Sequence, residues 1–500
     1  MRRFTLSLFS FLLILFLVLT PCFALIPSIS LASSPVRNIR VAISTNNFAS
    51  LQHQKLVLTS PTGLKVLKND QVVLRTNPNQ KINLRVENFQ IVLEVGSEVH
   101  RLGEIISLEA IDDQKITLVS LTRGDQNPFN PSYRGSIQIQ IASRNTFLVI
   151  NQLPIDQYLY QVLPSEMPIK FPMEALKAQA VAARTYAVRA MLMADEKEAN
   201  FDLEDNTNSQ MYNNRLEDER VSQAIDETSG LIMYSPLTNE LVRAYYYSTS
   251  SGMTASSFQV WFDGKPVSYL QARSVTIPPL TLDMTVEENA KAFFTDPSIR
   301  GYDEVSPWFR WHFNLTGTEL TEVINKNLPE LYRVQPDFIV TKQSDGEFIS
   351  QPIQSIGVVR DLKVIERGIG GNIMILEIVG TQATVRVGKE LNIRRLITPA
   401  NTKIYNQAGE VEGYLLMPSS FFVFEIHREG EAIDYIVFHG GGSGHGVGMS
   451  QWGARGMAEA GLSFEEILKS FYAEIELLDI YAEENYFLWS ESSKFGEMSY

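Results

Sequence analysis

The first part of the chain alternates hydrophobic and polar residues with a period of two, which is the pattern of half-buried β-strands. Runs such as Ile39–Ile43 and Ile137–Ile141 recur between clusters of Gly, Asn, Asp and Pro. Phe147–Asn151 continues the alternation. The pattern predicts a β-rich N-terminal part over residues 36–150, and we expect this part to carry no chemistry of its own.

A helical pattern follows in residues 151–260, which we assign as the catalytic core. Met173 to Glu198 is rich in good helix formers, and Pro172 suits the first turn of a helix. Alanines recur at helical spacing, so this helix is expected to pack closely against another element. Leu163–Pro168 contains two prolines, which predict a rigid loop ahead of the helix.

The second half returns to strands and closes with two helices. The segment from 358 to 438 is strand-like, with Ile373–Val379 and Ala383–Val387 as its clearest strands. A helix is predicted from Ser450 to Gly461. Another is predicted from Ser463, where Glu466 three residues later forms a capping box.

These patterns predict an α+β fold, in which β-rich N- and C-terminal units frame a cleft with a central alanine-rich helix. A length of 500 residues indicates two or three packed units. The remaining segments are assigned as a β-rich insertion and C-terminal part at 261–435, a glycine-rich loop with helices completing the core at 436–475, and a tail at 476–500.

The N-terminus has the composition of a secretory signal peptide, assigned to residues 1–32. A basic start precedes the apolar run Phe4–Leu19, and small residues follow. An exported protein of the periplasm or cell wall is therefore predicted, with an uncleaved membrane anchor as the alternative. Cys22 is the only cysteine, so a chain cleaved after it has no disulfide and no cysteine nucleophile.

The formal net charge of −14 argues against nucleic acid or anionic lipid as the main partner, because both require clustered Lys and Arg. Hydrogen bonds and stacking recognise sugars without any net charge. A glycan substrate is therefore compatible with this composition.

Glu166 is the sharpest candidate for acid–base chemistry. Its neighbours Met167, Ile169 and Phe171 are apolar, and such surroundings raise a carboxyl pKa toward the range that a general acid needs. The nearby N-terminus of the predicted helix acts in the opposite direction. The alternative is a surface glutamate that is favoured by the helix dipole alone.

Arg184 and the glycine-rich loop each allow a functional and a structural interpretation. Arg184 interrupts the alanine-rich helix, so it is either a partner for a substrate group or half of a structural ion pair. Gly440–Gly448 either approaches a ligand or makes a tight crossing of the backbone. The loop lacks the phosphate-binding pattern, and its two histidines, His439 and His445, are weak evidence for a metal.

The run Tyr245–Thr254 is dense in aromatic and hydroxyl side chains. Such a combination suits a sugar-binding cleft, although an edge strand is the simpler interpretation. A serine hydrolase is disfavoured, because no Gly-x-Ser-x-Gly elbow with a matching acid and histidine is present.

Two long motifs, taken together, closely resemble the stage II sporulation protein D family. The first joins Leu163–Pro168 to Glu174–Ala187, and the second is Gly444–Ala454. Shorter matches lie in the expected order, namely Asn208–Tyr212, Val260–Phe262, Trp308, Trp311, Arg394 and Met417–Phe422. The resemblance spans roughly residues 36–472.

The resemblance implies a lytic transglycosylase that acts on the glycan strands of peptidoglycan. Glu166 matches the catalytic glutamate of the family, which needs no second carboxylate because the sugar's own 6-hydroxyl closes a 1,6-anhydro ring. Substrate contacts are implied at Lys177, Arg184, Gln210, Tyr212, Ser248, Gly444, His445 and Gln451.

Two further expectations come with the family. Some relatives have His and Cys near the segment aligned with Tyr247–Ser251, where they bind zinc; this chain has Tyr247, Ser250 and Ser251 there, so no metal and no cofactor is predicted. The competing function is a non-catalytic wall-binding enhancer of a cell-wall amidase, which would be the protein partner.

Overall fold

Two mainly antiparallel sheets form the N-terminal part. The computed structural model describes residues 36–124, 127–197, 199–262, 264–398 and 402–489, so the predicted signal peptide lies outside the described residues. The strands of this part are β1 (Ile39–Ala42), β2 (Lys55–Thr59), β3 (Leu64–Lys68), β4 (Gln71–Arg75), β5 (Ile82–Glu87), β6 (Gln90–Val95), β7 (Glu98–Arg101), β8 (Ile105–Ala110), β9 (Ile116–Leu118), β10 (Ser132–Tyr133), β11 (Ser136–Ser143) and β12 (Thr146–Leu153).

The alternation of hydrophobic and polar residues in these strands matches their burial. In β11, Ile137 and Ile139 are buried, whereas Gln138 between them is only half-buried. One sheet has the order β13-β1-β12-β11-β8-β3-β4, where β13 (Leu203–Glu204) pairs in parallel with β1, and the other has the order β10-β9-β2-β5-β6-β7. The β-rich character predicted for this part is confirmed.

Helices lie mainly in the middle and near the end of the described chain. The long alanine-rich helix lies where the sequence predicts it. The helices are α1 (Ile155–Glu166), α2 (Met173–Glu196), α3 (Glu219–Asp226), α4 (Ser257–Trp261), α5 (Glu287–Thr295), α6 (Gly317–Val334), α7 (Glu390–Leu396), α8 (Gln451–Glu459) and α9 (Phe464–Phe471). Most of the alanines of α2 are buried because the helix packs against α1, α3, α8 and α9.

The remaining strands are β14 (Leu231–Ser235), β15 (Glu240–Leu241), β16 (Tyr246–Tyr247), β17 (Trp311–Thr316), β18 (Ile339–Lys342), β19 (Phe348–Ser350), β20 (Val359–Arg367), β21 (Ile373–Gly380), β22 (Thr384–Gly388), β23 (Ile404–Asn406), β24 (Gly409–Val411), β25 (Phe422–Glu429), β26 (Ala432–Gly440), β27 (Met449–Ser450) and β28 (Glu476–Asp479). They form sheets of the order β15-β14-β28, β16-β27, β24-β23-β17-β26-β25 and β19-β18-β22-β21-β20. The α+β class is therefore confirmed.

Two hydrophobic clusters stabilise this arrangement. The larger joins the N-terminal sheets to α1, α2, α8 and α9. The smaller lies between residues 311 and 438, where α6 buries Leu320, Ile324 and Leu328 against strands. The segment bounds assigned from the sequence remain predictions.

The two helices near the C-terminus begin where the capping residues in the sequence predict. Ser450 is the N-cap of α8, and Ser463 with Glu466 forms the predicted capping box of α9. The region assigned as a tail begins with β28, which pairs with β14. Within the described ranges, we find no helix with the length and apolar character that a membrane crossing requires.

Candidate active site

Glu166 is the last residue of α1, so the prediction of a loop at Leu163–Pro168 was wrong. The buried residues Ile155, Tyr158, Leu159, Val162 and Leu163 follow helical spacing, and their burial outweighs the low helix propensity of Pro164. Beyond that proline, the Met167 N–H still donates to the Leu163 carbonyl at 2.9 Å.

The Glu166 carboxyl is partly exposed and accepts a hydrogen bond from the backbone. The Met211 N–H donates to Oε1 at 2.6 Å. Burial raises the pKa of Glu166 to about 7, although the Met211 N–H and the Tyr246 side chain lower it. The partial negative charge at the C-terminal end of α1 also disfavours the carboxylate. Glu166 is therefore poised to exchange a proton near neutral pH.

The position of Glu166 makes stability depend on pH in a predictable direction. The Glu166 carboxyl holds its proton more tightly in the folded protein, where its pKa is raised to about 7, than in the unfolded chain. Its contribution to the free energy of unfolding is therefore fully present below the unfolded pKa and is lost as the pH rises through 7. We expect Glu166→Gln to raise the free energy of unfolding by about 3 kcal/mol at pH 9 and to change it little at pH 4. Urea unfolding of both proteins at the two pH values measures this difference; equal stability at pH 9 would contradict the raised pKa.

A chain of buried hydrogen bonds joins Tyr158, Gln210 and Tyr246. The Tyr158 hydroxyl donates to Gln210 Oε1 at 3.0 Å, and Gln210 Nε2 donates to the Tyr246 hydroxyl at 3.1 Å. Gln210 is 1% exposed. Gln210 thus contacts Tyr246 in the interior, and the substrate contact expected of it stays a prediction.

Gln451 contacts the backbone of Glu166, and His445 contacts the backbone of Tyr246. Gln451 Nε2 donates to the Glu166 carbonyl at 3.2 Å. His445 Nδ1 accepts from the Val447 N–H at 3.1 Å, so Nε2 carries the proton and donates to the Tyr246 carbonyl at 3.1 Å. Burial lowers the pKa of His445 to about 4, which keeps the ring neutral.

The glycine-rich loop solves a backbone problem, as one of the two interpretations proposed. Gly444 has φ +115°, and a Cβ there would lie 2.8 Å from Tyr247 Cβ. Gly448 has φ +76°, and its Cβ would lie 2.0 Å from the Tyr245 carbonyl oxygen. The Gly444 N–H donates to the Pro418 carbonyl at 2.9 Å. The glycines therefore let this loop cross the Tyr245–Tyr247 segment closely.

Asp303 fixes the segments beside the site, and sequence reasoning missed it. This buried carboxylate accepts from the Ser250 N–H at 2.8 Å, from the Ser250 hydroxyl at 2.7 Å and from the Ser450 hydroxyl. Burial raises the pKa of Asp303 to about 6. Ser248, a predicted contact, is half-buried in this region, and its carbonyl accepts from the Trp452 N–H at 3.0 Å. No motif in the sequence marks Asp303.

Three other predicted contacts have partners away from the Glu166 carboxyl. Arg184 is 0% exposed, and its Nε donates to Asp156 at 2.7 Å, so it is half of a structural ion pair. Tyr212 is buried and donates to Asn151 at 2.6 Å. Lys177 pairs with Glu174 at 3.0 Å and Glu227 at 2.7 Å. Direct substrate contact by Arg184 and Tyr212 conflicts with their burial.

A cavity of about 760 Å³ lies beside α3, and Glu166 is not among the residues that line it. Charged and polar side chains line it, namely Lys115, Arg134, Glu217, Asp218, Glu219, Ser222, Gln223, Asp226 and Glu227. The described residues contain no group of three or more His, Cys, Asp or Glu side chains suited to a metal ion. The cleft expected from the sequence stays a prediction.

Comparison with known proteins places this geometry in a family. A family model described as Stage II sporulation protein matches residues 143–234. An uncharacterized protein of Brachyspira hyodysenteriae is 31% identical over 351 residues, which cover 69% of this chain and 72% of that protein. Stage II sporulation protein D of Bacillus subtilis is 25% identical over 337 residues, covering 65% and 74%. The chain belongs to the stage II sporulation protein D family.

Another relative of this stage II sporulation protein D family member is the amidase enhancer of Bacillus subtilis. It is 25% identical over 316 residues, which cover 62% of this chain but only 39% of the enhancer. A model described as Domain of unknown function (DUF8618) matches residues 256–448 and includes the second hydrophobic cluster. The match at 143–234 contains Glu166, Lys177 and Arg184.

Proposed function

We propose that this protein is a peptidoglycan lytic transglycosylase, which cleaves the bond between N-acetylmuramic acid and N-acetylglucosamine with Glu166 as acid and base. The observation that carries the proposal is the Glu166 carboxyl, partly exposed, apolar in its surroundings and with a pKa raised by burial to about 7. A general acid is most effective when its pKa lies near the working pH.

The reaction uses one carboxyl group twice. Protonated Glu166 donates its proton to the glycosidic oxygen while the bond to the muramic acid carbon breaks. The resulting carboxylate then takes the proton of the sugar's 6-hydroxyl, whose oxygen attacks that carbon and closes a 1,6-anhydro ring. The proton returns to Glu166, so the enzyme ends in its starting state and no water is consumed.

A hydrolytic mechanism would need a second carboxylate about 5–10 Å from the first. Burial, the Met211 N–H and the Tyr246 side chain set the pKa of Glu166. The single-carboxyl reaction needs no further acidic group, because the 6-hydroxyl of the sugar takes the place of water. Ser248, Gly444 and His445 remain candidate substrate contacts, and no cofactor is needed.

The protein would act outside the cytoplasm, in the periplasm or cell wall, with peptidoglycan glycan strands as its substrate. The basic and apolar N-terminus supports export.

The alternative is a non-catalytic wall-binding enhancer of an N-acetylmuramoyl-L-alanine amidase. The relative named amidase enhancer favours it. The raised pKa of Glu166 favours the enzyme, because strongly shifted pKa values cluster at catalytic acids and bases.

Mass spectrometry of purified glycan strands, with and without stem peptides, separates the two functions. The expected result is 1,6-anhydro ends after incubation with the protein. If neither substrate is cut while an added amidase releases stem peptides faster, the enhancer replaces the enzyme.

A further inference from the structure

Asp303 is a buried carboxylate that joins two distant segments of the chain. It is 0% exposed, and it accepts hydrogen bonds from the Ser250 N–H at 2.8 Å and from the Ser250 hydroxyl at 2.7 Å. It also accepts from the Ser450 hydroxyl. Since a carboxylate has only acceptor sites, it can bind all three donors at once. Asp303 therefore links the start of α8 to the chain that follows β16.

Ser450 connects Asp303 to α8, because it is the N-cap of that helix. While its hydroxyl donates to Asp303, its oxygen accepts from the Gly453 N–H at 3.2 Å and from the Ser250 N–H at 3.1 Å. A hydroxyl can donate once and accept twice, so these contacts are compatible. Asp303 and Ser450 together thus fix where α8 begins.

The helix α8 also lies directly against the segment that contains Asp303. A Cβ at Gly453 would lie 2.8 Å from Asp303 Oδ2, and a Cβ at Gly456 would lie 1.9 Å from the Tyr302 carbonyl oxygen. Glycine is unfavourable inside a helix, so the two glycines on this face indicate that the close contact is required. A displacement of the Asp303 segment would therefore displace α8.

Gln451, the first residue of α8, contacts the end of α1. Its Nε2 donates to the Glu166 carbonyl at 3.2 Å. The last four carbonyls of a helix have no partner within the helix, and the Gln451 amide supplies one to Glu166. The backbone of the proposed acid is thus held by a side chain whose position depends on Ser450 and Asp303.

These hydrogen bonds connect the two regions of the chain that match different families. Glu166 lies in the region 143–234, and Asp303 lies in the region 256–448, for which no function is described. Ser450 and Gln451 follow directly after the second region. The contacts from Asp303 to Glu166 therefore join the second region to the candidate site.

We infer that Asp303 is a positioning residue for the reaction proposed above. Through Ser450 and Gln451 it holds the end of α1, so that the Glu166 carboxyl reaches the glycosidic oxygen at hydrogen-bond distance. Asp303 itself does not touch the substrate, because it is fully buried. The inference rests on the proposed function for its role in catalysis, whereas the hold on α1 is testable without any substrate.

Asp303→Asn keeps the shape of the side chain and replaces charge-assisted hydrogen bonds by weaker neutral ones. A misplacement of about 1 Å can reduce an enzymatic rate about 100-fold, so we expect this partial loosening to lower kcat about ten-fold. KM should change little, because the variant loses no atom that contacts the substrate. Glycan cleavage over a range of substrate concentrations measures both constants.

A double-mutant cycle with Gln451→Ala shows whether the effect reaches Glu166 through Gln451. Gln451→Ala alone should also lower kcat, and Asp303→Asn should cause no further loss in that background. Ser450→Gly is the second variant, because it removes the hydroxyl bound to Asp303 while glycine is still accepted as an N-cap. Its effect should likewise disappear in the Gln451→Ala background. If Asp303→Asn does not fold, Ser450→Gly decides.

Asp202→Asn is the matched control. The Asp202 side chain is another fully buried carboxylate, and it pairs with Arg37 and Arg40 at 2.7 Å. Arg37 also donates to the Met191 carbonyl, so this cluster lies near the C-terminal end of α2. The control should unfold at a lower urea concentration than the parent but keep the parental kcat.

Hydrogen exchange provides a readout without substrate. In the last turn of α1 the Met167 N–H donates to the Leu163 carbonyl. Its exchange with deuterium, measured by mass spectrometry of fragments, should be faster in Asp303→Asn and in Gln451→Ala but not in Asp202→Asn.

The inference stands if kcat falls, the cycle is non-additive and the exchange of Met167 is faster. It is overturned if the effects of Asp303→Asn and Gln451→Ala multiply, if Asp303→Asn keeps the parental kcat or changes only KM, or if the exchange of Met167 is unchanged. If the parent cuts no glycan, the proposed function fails and the catalytic role of Asp303 with it, while the exchange of Met167 still shows whether Asp303 holds α1.

Discussion

Replacing Glu166 by glutamine should reduce the rate of glycan cleavage by about 100- to 10,000-fold, the usual contribution of one general acid–base group. Glutamine keeps the shape of the side chain and still accepts the Met211 N–H, but it has no proton to give to the glycosidic oxygen. The rate of appearance of 1,6-anhydro ends measures the effect under saturating substrate.

Glu219→Gln is the matched control for this experiment, because Glu219 is an exposed residue at the start of α3. It removes the same charge, and its rate should equal that of the parent. A Glu166→Gln protein that folds and cuts within a few-fold of the parent would exclude Glu166 as the acid.

The second large effect is on stability. Arg184→Met should lower the free energy of unfolding by about 3–5 kcal/mol, because it leaves the Asp156 carboxylate without its buried cation. Arg184 also donates to the Leu231 and Ile225 carbonyls at 3.1 and 3.2 Å, which ties α2 to α3 and β14. Urea unfolding measures the loss.

Two companion variants show the origin of this loss. Arg184→Met combined with Asp156→Asn should recover part of the stability, since the uncompensated charge is then gone. Lys177→Met, which breaks a more exposed pair on the same helix, should cost much less. If Arg184→Met is as stable as the parent and instead weakens glycan binding, Arg184 is a substrate contact after all.

The fold was predictable wherever one local signal dominated. The alternation of hydrophobic and polar residues predicted the N-terminal strands, and the alanine content predicted α2. The capping box of Ser463 and Glu466 predicted the start of α9. The pairing of distant strands was not predictable. The parallel contact between β16 and β27 joins residues about two hundred positions apart, and no local pattern encodes it.

Residues of the candidate site were also predictable only where a local sequence signal marks them. Glu166 was found because its apolar neighbours and its motif are contiguous, but its place at the end of α1 was missed because Pro164 argued for a loop. Tyr246 lies in a run of three tyrosines, and nothing in that run distinguishes the one that contacts Gln210. Asp303 has no signal at all, since its role depends on Ser250 and Ser450 meeting in space.

Cleavage of stripped glycan strands in water enriched with oxygen-18, followed by mass spectrometry of the new ends, tests the central claim most directly. A single carboxyl that passes its proton between two sugar oxygens predicts 1,6-anhydro ends that contain no oxygen-18. Reducing ends that carry oxygen-18 would show that water attacks the bond, and the protein would then be a hydrolase with a second catalytic group.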